Sequence, residues 1–305
     1  MAPPSAAGDA AASPGAVSWQ RGVAYMLLAT ACFSVLDMSA KLMVRDLSVV
    51  QAVWGRYVFN FLLFAPILLL RRSPARLVRT QRLGLQLLRS VFLIGSTFAF
   101  WLGLVYLPLA DAVTIGFVSP LLVTALSVPL LGERVGIHRW SAVCIGLLGV
   151  LVIVRPGFGA MHWAALMPLL TAFCYALYQI QTRILSRTDE ALTSLFYGAL
   201  GGAALTSLAV PFVWIWPSWQ QWLAFAWLGL LGTVGHFLLI RGFTAAPASV
   251  LAPFNYSGLL WAVLLGWLVF GDLPDEWTLI GAALIVSGGL YTLHRERKRR
   301  ALAGT

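Results

Sequence analysis

Runs of roughly 20 apolar residues, the length that carries a helix across about 30 Å of hydrocarbon, follow one another from Tyr25 to the basic cluster near the C-terminus. The spans fall at 22–43, 49–70, 86–106, 110–131, 139–154, 162–183, 191–215, 219–240, 247–270 and 277–294. Each run is continuously apolar, whereas the strands of a membrane barrel alternate over about ten residues. The pattern therefore predicts an all-α integral membrane protein with ten transmembrane helices. Proline and glycine mark the joints, as at Leu107-Pro108, Arg155-Pro156-Gly157, Trp216-Pro217 and Leu273-Pro274. No gap between runs is long enough to hold a soluble domain.

Composition agrees. Apolar residues make up 60% of the chain and charged residues 10%, against about 25% charged in a soluble domain, so lipid must cover much of the surface. Residues 1–18 are rich in Ala, Pro, Gly and Ser and are expected to be disordered, giving an N-terminal tail to residue 20. They lack the basic region of a signal peptide, so the first apolar run is expected to be retained. Cys32, Cys144 and Cys174 all lie inside apolar runs and read as packing residues, with no metal-binding spacing among them.

The net charge of +10 changes the picture through its placement. Of the 21 basic residues, 17 fall in alternate connections or next to them: Arg21; Arg71, Arg72, Arg76, Arg79, Arg82 and Arg89; Arg134 and Arg139; Arg183 and Arg187; Arg241; and Arg295, Arg297, Lys298, Arg299 and Arg300. By the positive-inside rule that side is cytoplasmic, with both termini there, in a multi-pass protein of the inner membrane. The acidic turn at 272–276 and the Trp-rich turn at 215–222 fall outside. Basic residues confined to short connections do not form a nucleic-acid surface, so the expected partners are the lipid bilayer and a small-molecule cargo.

The two halves of the chain align at an offset of 139 residues: Phe98 with Phe237, Gly103 with Gly242, Pro108 with Pro247, Leu121 with Leu260, Gly132-Glu133 with Gly271-Asp272, and Gly149 with Gly288. Five spans per half means that the second copy is inverted relative to the first, the build of many secondary transporters. The expected units are 21–155 and 156–294, followed by a basic tail at 295–305. Chance matching among Leu- and Gly-rich helices is the competing explanation. Matched Pro and Gly-acid pairs at equivalent helix ends weigh against it.

With Leu130-Leu131-Gly132-Glu133 closing the fourth span, Leu107-Pro108-Leu109-Ala110 opening it and Pro120 at its middle, residues 20–295 resemble the EamA branch of the drug/metabolite transporter superfamily. The counterpart Phe270-Gly271-Asp272 has Asp where that family often has Glu. The resemblance implies a central cavity lined by both halves, alternating access and no ATP hydrolysis. It implies a secondary transporter moving a small organic metabolite or drug-like solute, without a cofactor. The residues agree on one point: the two lysines, Lys41 and Lys298, are followed by Leu42 and Arg299, so no G-K-[ST] phosphate loop exists. A membrane-embedded enzyme and a non-transporting sensor are the alternatives. Against the first, His138, His162, His236 and His294 are scattered, with no nucleophile–base pair and hence no catalytic residues. Against the second, there is no output domain. Oligomeric state stays open, and a monomer is compatible with the pattern.

Ionisable groups deep in a span are costly and become the first functional candidates. Asp37 and Lys41 share a face of the first helix, and Arg56 lies on the second at the same distance from the turn between them, roughly 10–14 Å below the outer surface. They are expected to form one cluster of net charge +1, either binding an electron-rich part of the cargo or locking helices 1 and 2. Tyr175, Tyr178, Gln179 and Gln181 on helix 6 offer hydrogen bonding and stacking. Asn255 and Tyr256 follow Pro253 near the middle of helix 9, where a proline frees a backbone carbonyl. The substrate-binding set is thus Asp37, Lys41, Arg56, Tyr175, Tyr178, Gln179, Asn255 and Tyr256, facing an anionic or zwitterionic cargo with a flat ring. Thr114 and Ser119 flank Pro120, while Trp54, Trp101 and Trp261 either stack on cargo or face lipid. His236 is a candidate carrier of a coupling proton, against a histidine at the interface making one hydrogen bond. Asp111 is expected at an external helix start, and Gly198-x-x-x-Gly202 in a close helix contact.

Overall fold

The computed structural model describes residues 14–70, 78–132, 135–155, 163–246, 251 and 254–303. Among them every regular element is helical. The first three spans are α1 (Pro14–Met43), α2 (Val49–Leu70) and α3 (Leu83–Tyr106). α4 is broken into Leu109–Gly116 and Ser119–Leu131 by a turn at Phe117 and Val118. α5 (Ile137–Val154) ends the first half. α6 (Leu166–Leu185) follows a 3-10 turn, and α7 (Ala191–Ala209) runs into another at Val210–Val213. α8 is Trp219–Ala245, α9 is Ser257–Leu265 continued by a π-helical turn Gly266–Phe270, and α10 is Glu276–Ala303.

The described helices overlap all ten expected spans, the part of the ninth at 247–250 and 252–253 lying outside the described residues, and the two ends of the chain differ from expectation. α1 begins at Pro14, so residues 14–18 are helical rather than disordered; proline suits a first helical position, where no N–H is missed. The earlier part of that tail, 1–13, lies outside the described residues. α10 runs on to Ala303, taking most of the segment expected as a separate tail into the helix.

Local chemistry sets the other ends. Ser218 caps α8 through a reciprocal pair with Gln221, which satisfies two N-terminal donors. α4 and α9 close at Gly132 and Gly271, with φ of 66° and 72°, a left-handed backbone that favours glycine. These two glycines are equivalent under the 139-residue offset.

An even number of spans brings both ends of the chain to one face of the bundle, here the terminal face; the α1–α2, α3–α4, α7–α8 and α9–α10 turns form the distal face. Helix contacts obey the repeat. α1 packs on α8 and α9, and α6 packs on α3 and α4; α2 touches α8, and α7 touches α3. α2 pairs with α7, and α5 with α10. For these contacts, exchanging each helix with the one five places away returns the same pairs, as a twofold-related inverted repeat requires. Gly202 of α7 takes the Tyr57 ring of α2 against its backbone, so that glycine does serve a close contact.

The largest buried cluster fills the distal half of the bundle. Leu36 and Ala40 of α1, Val53 and Tyr57 of α2, Trp101 and Leu104 of α3, and Phe225 and Leu228 of α8 pack there. The outward faces carry bare apolar side chains such as Leu62, Leu148, Leu208 and Phe237, as a lipid-facing surface must.

Candidate functional site

Thr30, Ser34 and Asp37 recur every three to four residues on α1 and so lie along one stripe, which faces the start of α9, where a turn at Tyr256 breaks the helix between residues 254–255 and Ser257. Thr30 Oγ1 shares a 2.8 Å hydrogen bond with Ser257 Oγ, and Ser34 Oγ donates to the Gly258 carbonyl at 3.3 Å. Across the bundle, Gln179 Nε2 on α6 donates to Ser119 Oγ at 3.3 Å, just after the break in α4. Each broken helix is thus met by a polar side chain from the opposite half. Phe117 and Tyr256, one at each break, are related by the same offset of 139, and their rings face each other at 5.2 Å. Two symmetry-related residues in contact place the pseudo-twofold axis between them.

Around that point is a cavity of about 510 Å³. Its walls are aromatic at Phe33, Phe100, Phe117, Tyr175 and Tyr256, and polar at Asp37, Gln179 and Asn255. Met26, Thr124, Leu239 and Phe243 line its other end, all on the terminal-face halves of their helices. The cavity therefore extends toward the terminal face, while the apolar cluster around Leu36, Trp101 and Phe225 occupies the distal half.

Of the eight residues singled out from sequence, Asp37, Tyr175, Gln179, Asn255 and Tyr256 line this cavity. Lys41, Arg56 and Tyr178 do not, and the expected cluster is divided: Lys41 turns to the distal face, while Arg56 stays near enough to Asp37 to act on it electrostatically, with Trp101 beside both. Lys41 Nζ is 3.2 Å from the Asp272 carboxylate and 3.0 Å from the Leu107 carbonyl on the distal face. Arg56 donates to Thr97 Oγ1 at 3.3 Å and lies beside the rings of Tyr57 and Trp101, 5.3 and 5.4 Å from their centroids. Its Nε is buried without a partner. Trp101, fully buried, stands next to both groups: its indole N–H donates to Asp37 Oδ1 at 3.4 Å while its ring neighbours Arg56. The turn geometry gave equal depths for Asp37 and Arg56, but α3 supplies a side chain to each of them.

Arg89 was missed. Counted from sequence with the basic residues of a connection, it is 2% exposed inside α3. It donates to Thr182 Oγ1 at 2.7 Å, the Ser194 carbonyl at 2.8 Å and the Tyr178 hydroxyl at 2.8 Å. Tyr178 in turn stacks on Tyr175, centroids 5.4 Å apart and planes 18° off parallel. The available signal was helical register: Gln86, Arg89 and Ser90 sit three to four apart on the polar stripe of α3, and all are buried.

Of the remaining candidates, Ser119 also lines the cavity, and the following lie off it. Trp54 joins an aromatic group with Trp214, Trp222 and Phe225, its N–H bonded to Ser207. The Trp261 indole N–H is buried without a partner, as is Gln181 Oε1. His236 Nδ1 is 2.7 Å from the Gly232 carbonyl, which can only accept, so that nitrogen carries the proton. The ring packs edge-on against Phe33 at 5.0 Å, inside the bundle. Asp111 accepts from Thr278 Oγ1 at 3.0 Å on the distal face. The arrangement supplies an aromatic wall, the amides of Gln179 and Asn255 and the carboxyl group of Asp37 around one chamber.

Known proteins share this organisation. The EamA-like transporter family matches residues 20–155 and 162–293. A riboflavin transporter of Rhizobium johnstonii is 31% identical over 287 residues, covering 91% of this chain and 92% of its own length. An S-adenosylmethionine uptake transporter of Rickettsia prowazekii is 25% identical, covering 92% of this chain and 95% of its own. The pseudopaline exporter of Pseudomonas aeruginosa is 28% identical, covering 87% and 93%. A crystal structure superposes with a TM-score of 0.63 at 19% identity, covering 93% of this chain and 98% of the other, which shows the fold.

Proposed function

The chain belongs to the EamA-like transporter family as a secondary transporter of small metabolites, and we propose that its cargo is a planar heteroaromatic metabolite, neutral or positively charged. The observation that carries this reading is the cavity wall. Six aromatic rings line the chamber, and Asp37 is the one charged side chain among its described lining residues. Aromatic rings favour a flat π-face, the amides of Gln179 and Asn255 suit the edge of a heterocycle, and a carboxylate disfavours an anion. The basic side chains that suggested an anionic cargo are engaged elsewhere, Lys41 with Asp272 and Arg56 with Thr97, and the buried Arg89 is held by Tyr178, Thr182 and Ser194. Riboflavin and S-adenosylmethionine, named for two relatives, both carry flat nitrogen heterocycles.

In this reading Asp37, Tyr175, Gln179, Asn255 and Tyr256 touch the cargo. Lys41, Arg56 and Tyr178 act from behind them: Lys41 in the distal closure, Arg56 beside Trp101 and Asp37, and Tyr178 under Tyr175. The units that rock against each other are residues 21–155 and 156–294, with the pseudo-twofold axis at Phe117 and Tyr256. The positive-inside rule favours an inner-membrane protein with the terminal face cytoplasmic, which makes this conformation open inward. Transport is either facilitative or proton-coupled. Uptake by Asp37→Asn with and without a proton gradient separates the two, and loss of gradient dependence assigns the coupling proton to Asp37.

The test is thermal stabilisation of the purified protein against a metabolite library that includes riboflavin and S-adenosylmethionine, since a cargo stabilises by mass action. Planar heterocycles are expected to raise Tm in the wild type and less in Asn255→Ala and Gln179→Ala. Stabilisation only by aliphatic or anionic compounds overturns the reading.

A further inference from the structure

Arg89 has a role that nothing about the cavity lining reveals. Its guanidinium is buried in α3, away from the chamber, and none of its hydrogen bonds within the described residues goes to a carboxylate. A charge in that position is costly unless its donors are used. All three nitrogens are used: Nε on Thr182, Nη1 on the Ser194 carbonyl, Nη2 on the Tyr178 hydroxyl. The same guanidinium lies 4.5 Å from the centroid of the Tyr178 ring. Tyr178 is therefore held at its hydroxyl and against its ring, by a planar group anchored on α6 and α7 together.

Tyr175 inherits that order. It stacks on Tyr178 at 5.4 Å and 18°, and it presents itself to the cavity. We infer that Arg89 is a positioning residue for the binding surface: by fixing Tyr178 it fixes the plane of Tyr175, and so the plane in which a flat cargo stacks. This rests on the planar cargo proposed above. Tyr178 is too buried, at 8% exposure, to serve as the platform itself. The chain Arg89–Tyr178–Tyr175 carries the constraint from the α3–α6–α7 junction to the chamber wall, and none of its members needs to move a proton.

The experiment has two arms, one free of cargo. In the first, hydroxyl-radical labelling of the purified protein is read by mass spectrometry at Tyr175, with Tyr106 as the internal reference. Arg89→Gln and Tyr178→Phe are expected to raise labelling of Tyr175 severalfold and to leave Tyr106 unchanged. Tyr178→Phe keeps the ring and is the variant that decides if Arg89→Gln does not fold. Unchanged labelling of Tyr175 in a folded variant overturns the inference.

In the second arm, riboflavin binding is followed by quenching of its fluorescence. Each single variant is expected to weaken binding about 3- to 10-fold, the scale of one aromatic stacking contact. The double variant should be no weaker than the poorer single, because both changes cut the same chain. Arg89→Lys, which keeps the charge but replaces three donor nitrogens in one plane with a single nitrogen, should fall between wild type and Arg89→Gln. Additive losses overturn the inference, because Arg89 would then act independently of Tyr178. If riboflavin fails to bind the wild type, the flavin version of the cargo reading falls, while Tyr175 labelling still decides the role of Arg89.

Discussion

Lys41 and Asp272, 231 positions apart in the chain, meet at 3.2 Å on the distal face and tie the first half of the protein to the second. Lys41 also donates to the Leu107 carbonyl and lies 4.7 Å from the centre of the Phe270 ring. Arg155 pairs with Asp275 close by, and Asp111 accepts from Thr278. Three polar links between the halves thus lie on the face away from which the cavity extends. They are placed to hold the distal side shut.

Breaking the first link should loosen that closure. In cells carrying the protein without Cys32, Cys144 and Cys174, a cysteine at Asn255 is expected to react slowly with a membrane-impermeant maleimide applied outside. Lys41→Ala or Asp272→Asn should speed the reaction about 2- to 5-fold, the scale of one partly exposed ion pair. Equal rates in all three backgrounds mean that Lys41–Asp272 is not part of the closure.

Charge exchange between Asp37 and Arg56 is expected to fail. Asp37 accepts from the Trp101 N–H and Arg56 donates to Thr97, so the exchanged side chains would meet the wrong partners. Asp37→Arg combined with Arg56→Asp should give no more folded protein by fluorescence-detected size exclusion than the worse single change. Recovery of folding would show that the two groups pair directly in another conformation.

Gly289 of α10 keeps Tyr256 in place. A Cβ there would lie 1.7 Å from the Tyr256 hydroxyl, so Gly289→Ala must push the ring toward the cavity or out of its contact with Phe117. Cargo affinity should fall by about tenfold or more, with protein level less affected, because the displaced group is the end of a side chain. Gly289→Ala with Tyr256→Phe should recover part of the loss. A Gly289→Ala protein with wild-type affinity would remove Tyr256 from the binding surface.

Asp189, in the α6–α7 connection, provides a pH test. Partial burial would raise its carboxyl pKa, but hydrogen bonds from Thr80, Gln86, Thr188 and the Gln81 backbone outweigh that and hold it below the usual value. A depressed carboxylate contributes stability that is fully present above its unfolded pKa of about 3.9 and is lost as pH falls through the folded one. The difference in Tm between wild type and Asp189→Asn should stay flat from about pH 8 to pH 5 and shrink only toward pH 3. A difference that changes between pH 7 and 6 would point to another group.

Orientation can be read directly. A cysteine at Arg79 should be protected from external label in intact cells, and one at Trp216, 81% exposed on the distal turn, should react. The opposite result inverts the topology and makes the present conformation outward-open.

Hydropathy alone placed the spans. α2 was expected at 49–70 and is Val49–Leu70, and the expected end of the third span at 106 is the end of α3. Insertion in lipid depends on the summed transfer of about 20 consecutive residues and on internal backbone pairing, both local quantities that the sequence carries in full. The repeat was legible for a related reason: glycine and proline at helix ends, such as Gly132 and Gly271, are fixed by local backbone geometry.

The rotation of each helix about its axis was decided only by the tertiary structure. Arg89 lies near the edge of an apolar run, where one turn of helix separates a connection from the bundle interior, and packing against Thr182, Ser194 and Tyr178 put it inside. Asp37 and Lys41 share a face of α1, yet one lines the cavity and the other reaches Asp272. Four residues along a helix is about 6 Å, enough to pass from the chamber to the distal closure. Sequence spacing determined which groups were buried at similar depth. Which neighbour each one meets depends on contacts between 41 and 231 positions away, and those exist only once the helices have packed.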